Sequence, residues 1–226
     1  MATDKRGRDQ PLGAEVYDRD GVEFARVLAF TDGVFAIAIT LLVVGIEVPG
    51  IPDTESVSEL AAELDDLTGS LVSFFISFAV IGRYWFAHHT FVSRLRGLDR
   101  GLIGLNLTYL LFIAFLPFPT SLLGNFFENP LAITVYAVAV AVVSGMEVVL
   151  FRHARRAGLL AREIPDDIYR WSVMMSLSPC VFFIASIPFA FVDSTLAVLV
   201  WLSAIPAQAV AHRWAPEGAD EWLLGH

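Results

Sequence analysis

The chain has 226 residues, of which 56% are hydrophobic and 17% are charged. Soluble domains carry about 45–50% apolar and about 25% charged residues, so this composition predicts an integral membrane protein. The formal net charge of −9 disfavours binding to nucleic acid, because phosphate groups attract basic surfaces. The single cysteine, Cys180, excludes an intramolecular disulfide and a zinc site built from clustered cysteines.

Six apolar segments are long enough to cross a bilayer, whose core, about 30 Å thick, requires about 20 apolar residues per helix. We therefore predict an all-α polytopic membrane protein with six transmembrane helices in each subunit. The predicted spans are residues 23–46, 68–89, 102–123, 130–151, 170–192 and 195–211. They form a transmembrane domain over residues 23–213, between a polar N-terminal arm at 1–22 that is expected to be disordered and a polar tail at 214–226.

The positive charges predict the orientation of these spans. The first, third and fifth connections contain no Lys or Arg, whereas the N-terminal arm and the second and fourth connections carry several. Cytosolic loops of membrane proteins are enriched in Lys and Arg. Both termini are therefore expected in the cytosol, with the protein in the cell membrane.

The first external connection contains a short helical pattern of its own. Ser56-Val57-Ser58-Glu59 matches the capping box that begins a helix. Apolar residues then recur at helical spacing, with acidic residues on the other faces, so residues 53–67 are expected to carry an acidic amphipathic helix. It is either a solvated cap or a negative vestibule that raises the local concentration of cations.

Few ionisable residues interrupt the predicted spans, where such residues are costly and by default structural or functional. They are Arg26 and Asp32 in the first span, Arg83, His88 and His89 in the second, and Glu147 in the fourth. The predicted orientation places all of these residues except Arg83 in the cytoplasmic half. Because a buried carboxylate without partners costs several kcal/mol, we expect a hydrogen-bonded network in which Asp32 pairs with a histidine of the second span. Proton or pH sensing by these histidines is the alternative.

The same polar residues give little support for an enzyme or a metal site. No nucleophile, base and orienting group can be identified together, so we do not expect an enzyme. His88 and His89 are adjacent and project about 100° apart on a helix, which disfavours binding of one ion by both.

One face of the first span carries mostly apolar residues. At helical spacing Gly33, Ile37, Thr40, Leu41 and Val44 fall within a sector about 100° wide, and Asp32 points roughly the opposite way. By itself such a strip is typical of ordinary helix packing, in which glycine allows close approach.

Three motifs resemble those of the prokaryotic branch of the transmembrane protein 175 potassium channels. The first runs from Arg26 through Phe30-Thr31-Asp32 to Ile37, with Thr31 where the family usually has serine. The second is Tyr84-Trp85 with His88-His89 and Phe91, and the third is Asn106 together with 116–120. The resemblance covers the first three spans, whereas the last three match only in number and spacing.

The resemblance implies a potassium-permeable cation leak channel in which four identical subunits surround a central pore lined by the first helix. It places the narrowest apolar ring at Ile37, with further gate rings at Leu41 and Val44. Thr40 matches the position associated with ion preference, although its hydroxyl could instead bond to the preceding turn. The residues expected to hold the first helix in place are Arg26, Phe30, Thr31, Asp32, Trp85, His88, His89 and Asn106. No cofactor is expected, and no metal beyond the permeating potassium.

Three other functions remain open at this point. Protons or several monovalent cations could permeate the same pore. A secondary transporter would be built from paired, broken helices. The last two spans do contain Pro179, Pro188 and Pro206, but the two halves of the chain show no matched breaks. The expected partners are a second copy of the chain, membrane lipid and monovalent cations.

Overall fold

The structure, a computed structural model, describes residues 16–219. The expectations for residues 1–15 and 220–226 lie outside the described residues. In order, the elements are β1 (Tyr17–Asp18), α1 (Val22–Val44), α2 (Val57–Asp66), α3 (Thr68–Ser93), β2 (Gly97–Leu98), α4 (Arg100–Phe115), α5 (Pro117–Asn125), α6 (Pro130–Arg156), α7 (Asp166–Ala190) and α8 (Ser194–His212).

Within residues 16–219, six segments are long and apolar enough to cross a membrane, which confirms the predicted all-α fold with six transmembrane helices. They are α1, α3, α4 with α5, α6, α7 and α8. Several spans extend beyond the predicted bounds: α3 continues to Ser93, α6 continues to Arg156, and α7 begins at Asp166. The third span consists of two helices that meet at Leu116, because Pro117 has no N–H to continue the hydrogen bonds of α4.

The core of the subunit is centred on α6, which packs against α4, α5, α7 and α8. Small and β-branched residues such as Ala137, Val140 and Val143 are fully buried along it. Buried hydroxyl groups in this core bond to one another, as polar groups in protein interiors usually do. The Tyr136 hydroxyl lies 2.8 Å from the Ser77 hydroxyl, which also accepts a bond from Thr120 at 2.8 Å. These bonds connect α6 to α3 and α5.

Two glycines allow α3 and α5 to approach closely. A Cβ at Gly124 would lie 3.0 Å from the Cα of Ser70, and one at Gly69 would lie 3.0 Å from the Gly124 carbonyl oxygen. Both obstacles are main-chain atoms, which cannot rotate away. Small residues at such contacts allow transmembrane helices to gain van der Waals contact.

The N-terminal arm is ordered where it meets α1, so the expected disorder of residues 1–22 is wrong for the residues described from 16 onward. Tyr17–Asp18 pairs antiparallel with Gly97–Leu98 in the connection between α3 and α4. The Arg19 N–H also donates to the Arg96 carbonyl at 3.0 Å. Main-chain bonds of this kind were not visible in the polar composition of the arm.

The first connection contains the short helix predicted there, α2. The Ser56 hydroxyl caps it by accepting the Glu59 N–H at 3.3 Å. The Glu59 carboxylate accepts the Asp53 N–H at 3.4 Å, where a capping box would have it accept the Ser56 N–H. None of the residues of α2 is buried. Its role as a cap or a vestibule stays a prediction.

Candidate ion pathway and its polar network

The α1 helix has one packed face and one uncovered face. Phe24, Thr31, Phe35, Ala38 and Leu42 recur at helical spacing and are buried against the same subunit. The predicted strip lies opposite: Ile37 is 60% exposed, Val44 is 73% exposed, and Leu41 is also exposed. The subunit therefore packs α1 by its other face and leaves the strip free.

The uncovered face also carries polar groups. Thr40 is exposed, and its hydroxyl donates to the Ile37 carbonyl at 2.9 Å. At the start of α1, Arg26 and Glu23 lie on the same side of the helix and form an exposed ion pair at 3.4 Å. Polar and charged side chains facing hydrocarbon are costly. The uncovered face is therefore apolar at Ile37, Leu41 and Val44 and polar at Thr40 and near the start of the helix.

A buried chain of hydrogen bonds joins α1 to α4 and α3. The Asn106 side-chain amide donates to the Thr31 hydroxyl at 2.9 Å, and its oxygen lies 2.8 Å from Nε2 of His88. The Thr31 hydroxyl in turn donates to the Val27 carbonyl at 2.9 Å. Because the amide oxygen only accepts, Nε2 of His88 carries a proton. The His88 ring stacks on Tyr109, with ring centres 5.4 Å apart.

A second set of polar side chains, the surface group, lies between α1 and α3. The Trp85 indole N–H donates to Oδ1 of Asp32 at 3.0 Å, and the His89 ring stacks on Trp85 with ring centres 5.4 Å apart. The predicted pairing of Asp32 with a histidine is therefore wrong. The indole N–H of Trp85, which lies one helical turn before His89 on α3, bonds the carboxylate instead.

The structure does not join all the residues predicted to form one network. Thr31, His88 and Asn106 form the buried chain, and Asp32, Trp85 and His89 form the surface group. Arg26 pairs with Glu23, and Phe30 is 55% exposed. Helical geometry explains the separation, because Arg26 and Phe30 lie on the strip side of α1, away from Thr31.

Sequence reasoning missed the neighbours of Arg83, which lies on the side of α3 that faces α6 and α7. Its Nη2 donates to the Met175 carbonyl at 3.1 Å, and its Nη1 lies 3.9 Å from the Glu147 carboxylate. Pro179 cannot donate to that carbonyl four residues earlier, so the proline provides an acceptor for the arginine. In the sequence, Pro179 is the feature that could have indicated this contact. Within residues 16–219, no three His, Cys, Asp or Glu side chains are grouped to hold a metal ion.

Comparison with known proteins adds to this geometry. The family model described as the endosomal/lysosomal potassium channel TMEM175 matches residues 26–117. This range contains the buried chain of hydrogen bonds and the surface group. A protein named potassium channel from Chamaesiphon minutus is 39% identical over 150 residues, covering 64% of this chain and 72% of that one. The human endosomal/lysosomal proton channel TMEM175 is 36% identical over 110 residues, covering 46% of this chain and 22% of the human protein.

A solved structure is similar to most of this chain. It is the crystal structure of a lysosomal potassium-selective channel TMEM175 homolog from Chamaesiphon minutus. The TM-score is 0.68 at 31% identity, and the match covers 84% of this chain and 98% of that one. The motifs of α1, α3 and α4, the six spans and these relatives agree, and the chain belongs to the TMEM175 family of ion channels.

Proposed function

We propose that this protein is a potassium-permeable cation leak channel in which four copies of the chain surround a central pore lined by α1. The observation that carries the proposal is the uncovered strip of Ile37, Thr40, Leu41 and Val44, opposite a face of α1 that is fully packed. A helix that lines a pore needs such a division. The similarity to proteins named potassium channels supports potassium as the permeating ion.

The strip would gate the pore by excluding water. Ile37 and Val44 are seven residues apart, which corresponds to about 10 Å along the helix axis. Four copies of each apolar side chain would form successive rings, and a cation stripped of water pays a large desolvation penalty in such a constriction. Widening by a few ångströms would readmit water. Thr40 would supply the one hydroxyl ring, because its oxygen still has lone pairs after donating to Ile37.

The buried chain of hydrogen bonds and the surface group would together set the angle of α1, and therefore the width of the pore. Each joins α1 to a different neighbour: Asn106 from α4 bonds Thr31, and Trp85 from α3 bonds Asp32. Helix position fixed by directional hydrogen bonds is stiffer than helix position fixed by apolar contact, since apolar contact is non-directional.

We propose that both termini lie in the cytosol and that the protein resides in the cell membrane. The strand pair β1–β2 and the bond from the Arg96 N–H to the Leu159 carbonyl bring the N-terminal arm and the second and fourth connections to one end of the subunit. That end carries a set of arginines: Arg19, Arg94, Arg96, Arg152, Arg155, Arg156 and Arg162. The asymmetry fits the rule that positive charge stays inside.

Proton permeation is the second candidate. It is favoured by the name of the human relative, a proton channel. Parallel measurements of potassium, sodium and proton flux in liposomes decide between the two. A larger proton flux than potassium flux at matched driving force would favour the proton channel, and saturable, coupled uptake would favour a secondary transporter.

The decisive experiment compares Ile37→Asn with wild type in liposomes that carry a potassium gradient. We expect several-fold faster potassium flux, because a polar ring holds water in the constriction. Val43→Asn is the matched control, since Val43 is exposed on the same helix but about 120° away from Ile37. Unchanged flux in an assembled Ile37→Asn channel would contradict the proposed pore, as would equal effects of the two variants.

A further inference from the structure

An open groove with a volume of about 670 Å³ lies between the end of α6 and the start of α7. Four arginines line it: Arg152, Arg155, Arg156 and Arg170. Tyr169 and two valines complete the lining, which contains no carboxylate among the residues that the structure describes. The whole chain has only 15 Lys and Arg residues and a net charge of −9, so this groove is a local concentration of positive charge.

Ion pairs inside the subunit occupy only part of this charge. Arg155 donates to the Asp166 carboxylate at the start of α7, and Arg170 is also attracted to Asp166. Arg152 and Arg156 are exposed, and neither makes a hydrogen bond or an ion pair within the described part of the chain. At least two cations of the groove therefore remain available to an anion.

The exposed apolar face of α6 ends in this groove. Val138, Val142 and Val149 are all exposed. Helical spacing places them in one sector about 80° wide together with Arg152 and Arg156, which lie about one and two turns beyond Val149. This face of α6 is therefore apolar along the membrane-spanning part of the helix and positive at its end.

The neighbouring helix α7 is divided in the same way. Met174 and Val181 are exposed, and Arg170 lies one turn before Met174. Helical spacing places these three side chains within about 40° of one another. Because α6 ends at Arg156 and α7 begins at Asp166, the arginines of both helices lie at the same end of the subunit. Two adjacent helices therefore present apolar side chains along the span and arginines at its end.

This division selects one class of ligand. Arginines are common at the ends of transmembrane helices, where water alone can solvate them. Here arginines from two helices converge on one groove, and basic pockets between transmembrane helices bind anionic lipid headgroups. A phosphate group accepts paired hydrogen bonds from a guanidinium group, and acyl chains cover exposed apolar surface. An anionic phospholipid carries both parts in one molecule, whereas a soluble anion leaves the apolar surface uncovered.

We propose that the groove between α6 and α7 binds the headgroup of an anionic phospholipid. Its phosphate accepts from Arg152, Arg156 and Arg170, and its acyl chains lie along the exposed apolar faces of the two helices. Arg155, which is bonded to Asp166, holds the two walls of the groove together. The site is independent of the proposed pore, because its lining comes from α6 and α7, whereas α1 packs mainly against α3, α4 and α5.

The test is native mass spectrometry of the purified channel in detergent, titrated separately with phosphatidylglycerol and with phosphatidylcholine of the same acyl chains. We expect phosphatidylglycerol to bind at least about tenfold more tightly. The double variant Arg152→Gln/Arg156→Gln should bind phosphatidylglycerol about tenfold or more weakly than wild type, because two cations without ion pairs are lost. The variant Arg152→Lys/Arg156→Lys keeps both charges and should bind more tightly than the glutamine variant.

The matched control is the double variant Arg162→Gln/Arg213→Gln. It also removes two exposed arginines at this end of the subunit, but neither of them lines the groove. Arg213 follows His212, whose ring packs against Trp171 near the start of α7. The control should bind phosphatidylglycerol like wild type. All substituted side chains are exposed, and thermal unfolding checks that each variant is folded.

Three results would overturn the proposal. Equal affinity of wild type for the two lipids would show that the arginines do not select negative charge. Equal phosphatidylglycerol binding by the glutamine variant and the control variant would place the lipid outside the groove. Competition by glycerophosphoglycerol, the same headgroup without acyl chains, as strong as that by phosphatidylglycerol would make this a site for soluble phosphate compounds. None of these measurements depends on ion flux, so the lipid site and the proposed pore can fail separately.

Discussion

Replacing Asn106 with leucine tests whether the buried hydrogen bonds hold α1 in place. The substitution keeps the number and branching of the side-chain heavy atoms and removes the bonds to His88 and Thr31, which are 2.8 and 2.9 Å long. The Thr31 hydroxyl keeps its bond to the Val27 carbonyl, so the group left without a partner is Nε2 of His88. His88 is 5% exposed, and water has little access to it.

The expected cost follows from this count. One buried donor without a partner costs about 1–3 kcal/mol. A side-chain hydrogen bond between transmembrane helices contributes about 0.6 kcal/mol on average, which gives the scale for the bond to Thr31. We therefore expect Asn106→Leu to lower the free energy of unfolding by about 1–3 kcal/mol. Thr31→Val removes the bond to the Val27 carbonyl and leaves the buried amide N–H of Asn106 without its acceptor, so it should also cost about 1–3 kcal/mol.

The measurement is reversible unfolding in mixed micelles of the single variants and of the double variant. Because the two residues share one hydrogen bond, the double variant should lose less stability than the two single variants lose in total. Thr108→Val is the matched control for Thr31→Val, since the Thr108 hydroxyl is exposed and bonds only to the Gly104 carbonyl of its own helix. The reasoning fails if Asn106→Leu unfolds within about 0.5 kcal/mol of wild type, or if the two effects are fully additive.

Two further predictions concern packing and pH. Gly124→Ala should destabilise the fold by about 1–3 kcal/mol, because the added Cβ would lie 3.0 Å from the Cα of Ser70. Gly104→Ala is the control in the same unfolding assay. Its added Cβ meets nothing within 4 Å, so this variant should be neutral or stabilising. Equal stabilities would contradict the close contact of α3 and α5. Hydrogen bonds from Thr195 to Asp193, the cap of α8, lower the pKa of that carboxyl below its ordinary value of 3.8. Its contribution to stability is therefore present above that value and is lost as the pH falls through the lowered folded-state pKa. Thermal unfolding from pH 6 to pH 3 should show this loss in wild type but a smaller one in Asp193→Asn, since asparagine also caps helices without titrating; matching pH profiles would argue against the cap.

The sequence by itself determined the features that depend on local patterns. The length of each apolar segment fixed the number of spans, because a helix must satisfy its own main-chain bonds across the bilayer. Helical spacing along α1 separated Ile37 and Val44 from Phe35 and Ala38, and the structure leaves the first pair exposed and buries the second. The motif residues of the first three spans also indicated the family.

Only the tertiary structure decided which polar side chains meet. Sequence spacing gives the direction of a side chain on its own helix, but not the rotation and height of the neighbouring helix, so Asp32 was expected to bond a histidine and instead bonds Trp85. For the same reason the sequence did not predict that Arg83 meets the Met175 carbonyl and Glu147, which lie on two other helices far along the chain. Helix packing depends on the shapes of two surfaces at once, and a single sequence pattern describes one surface at a time.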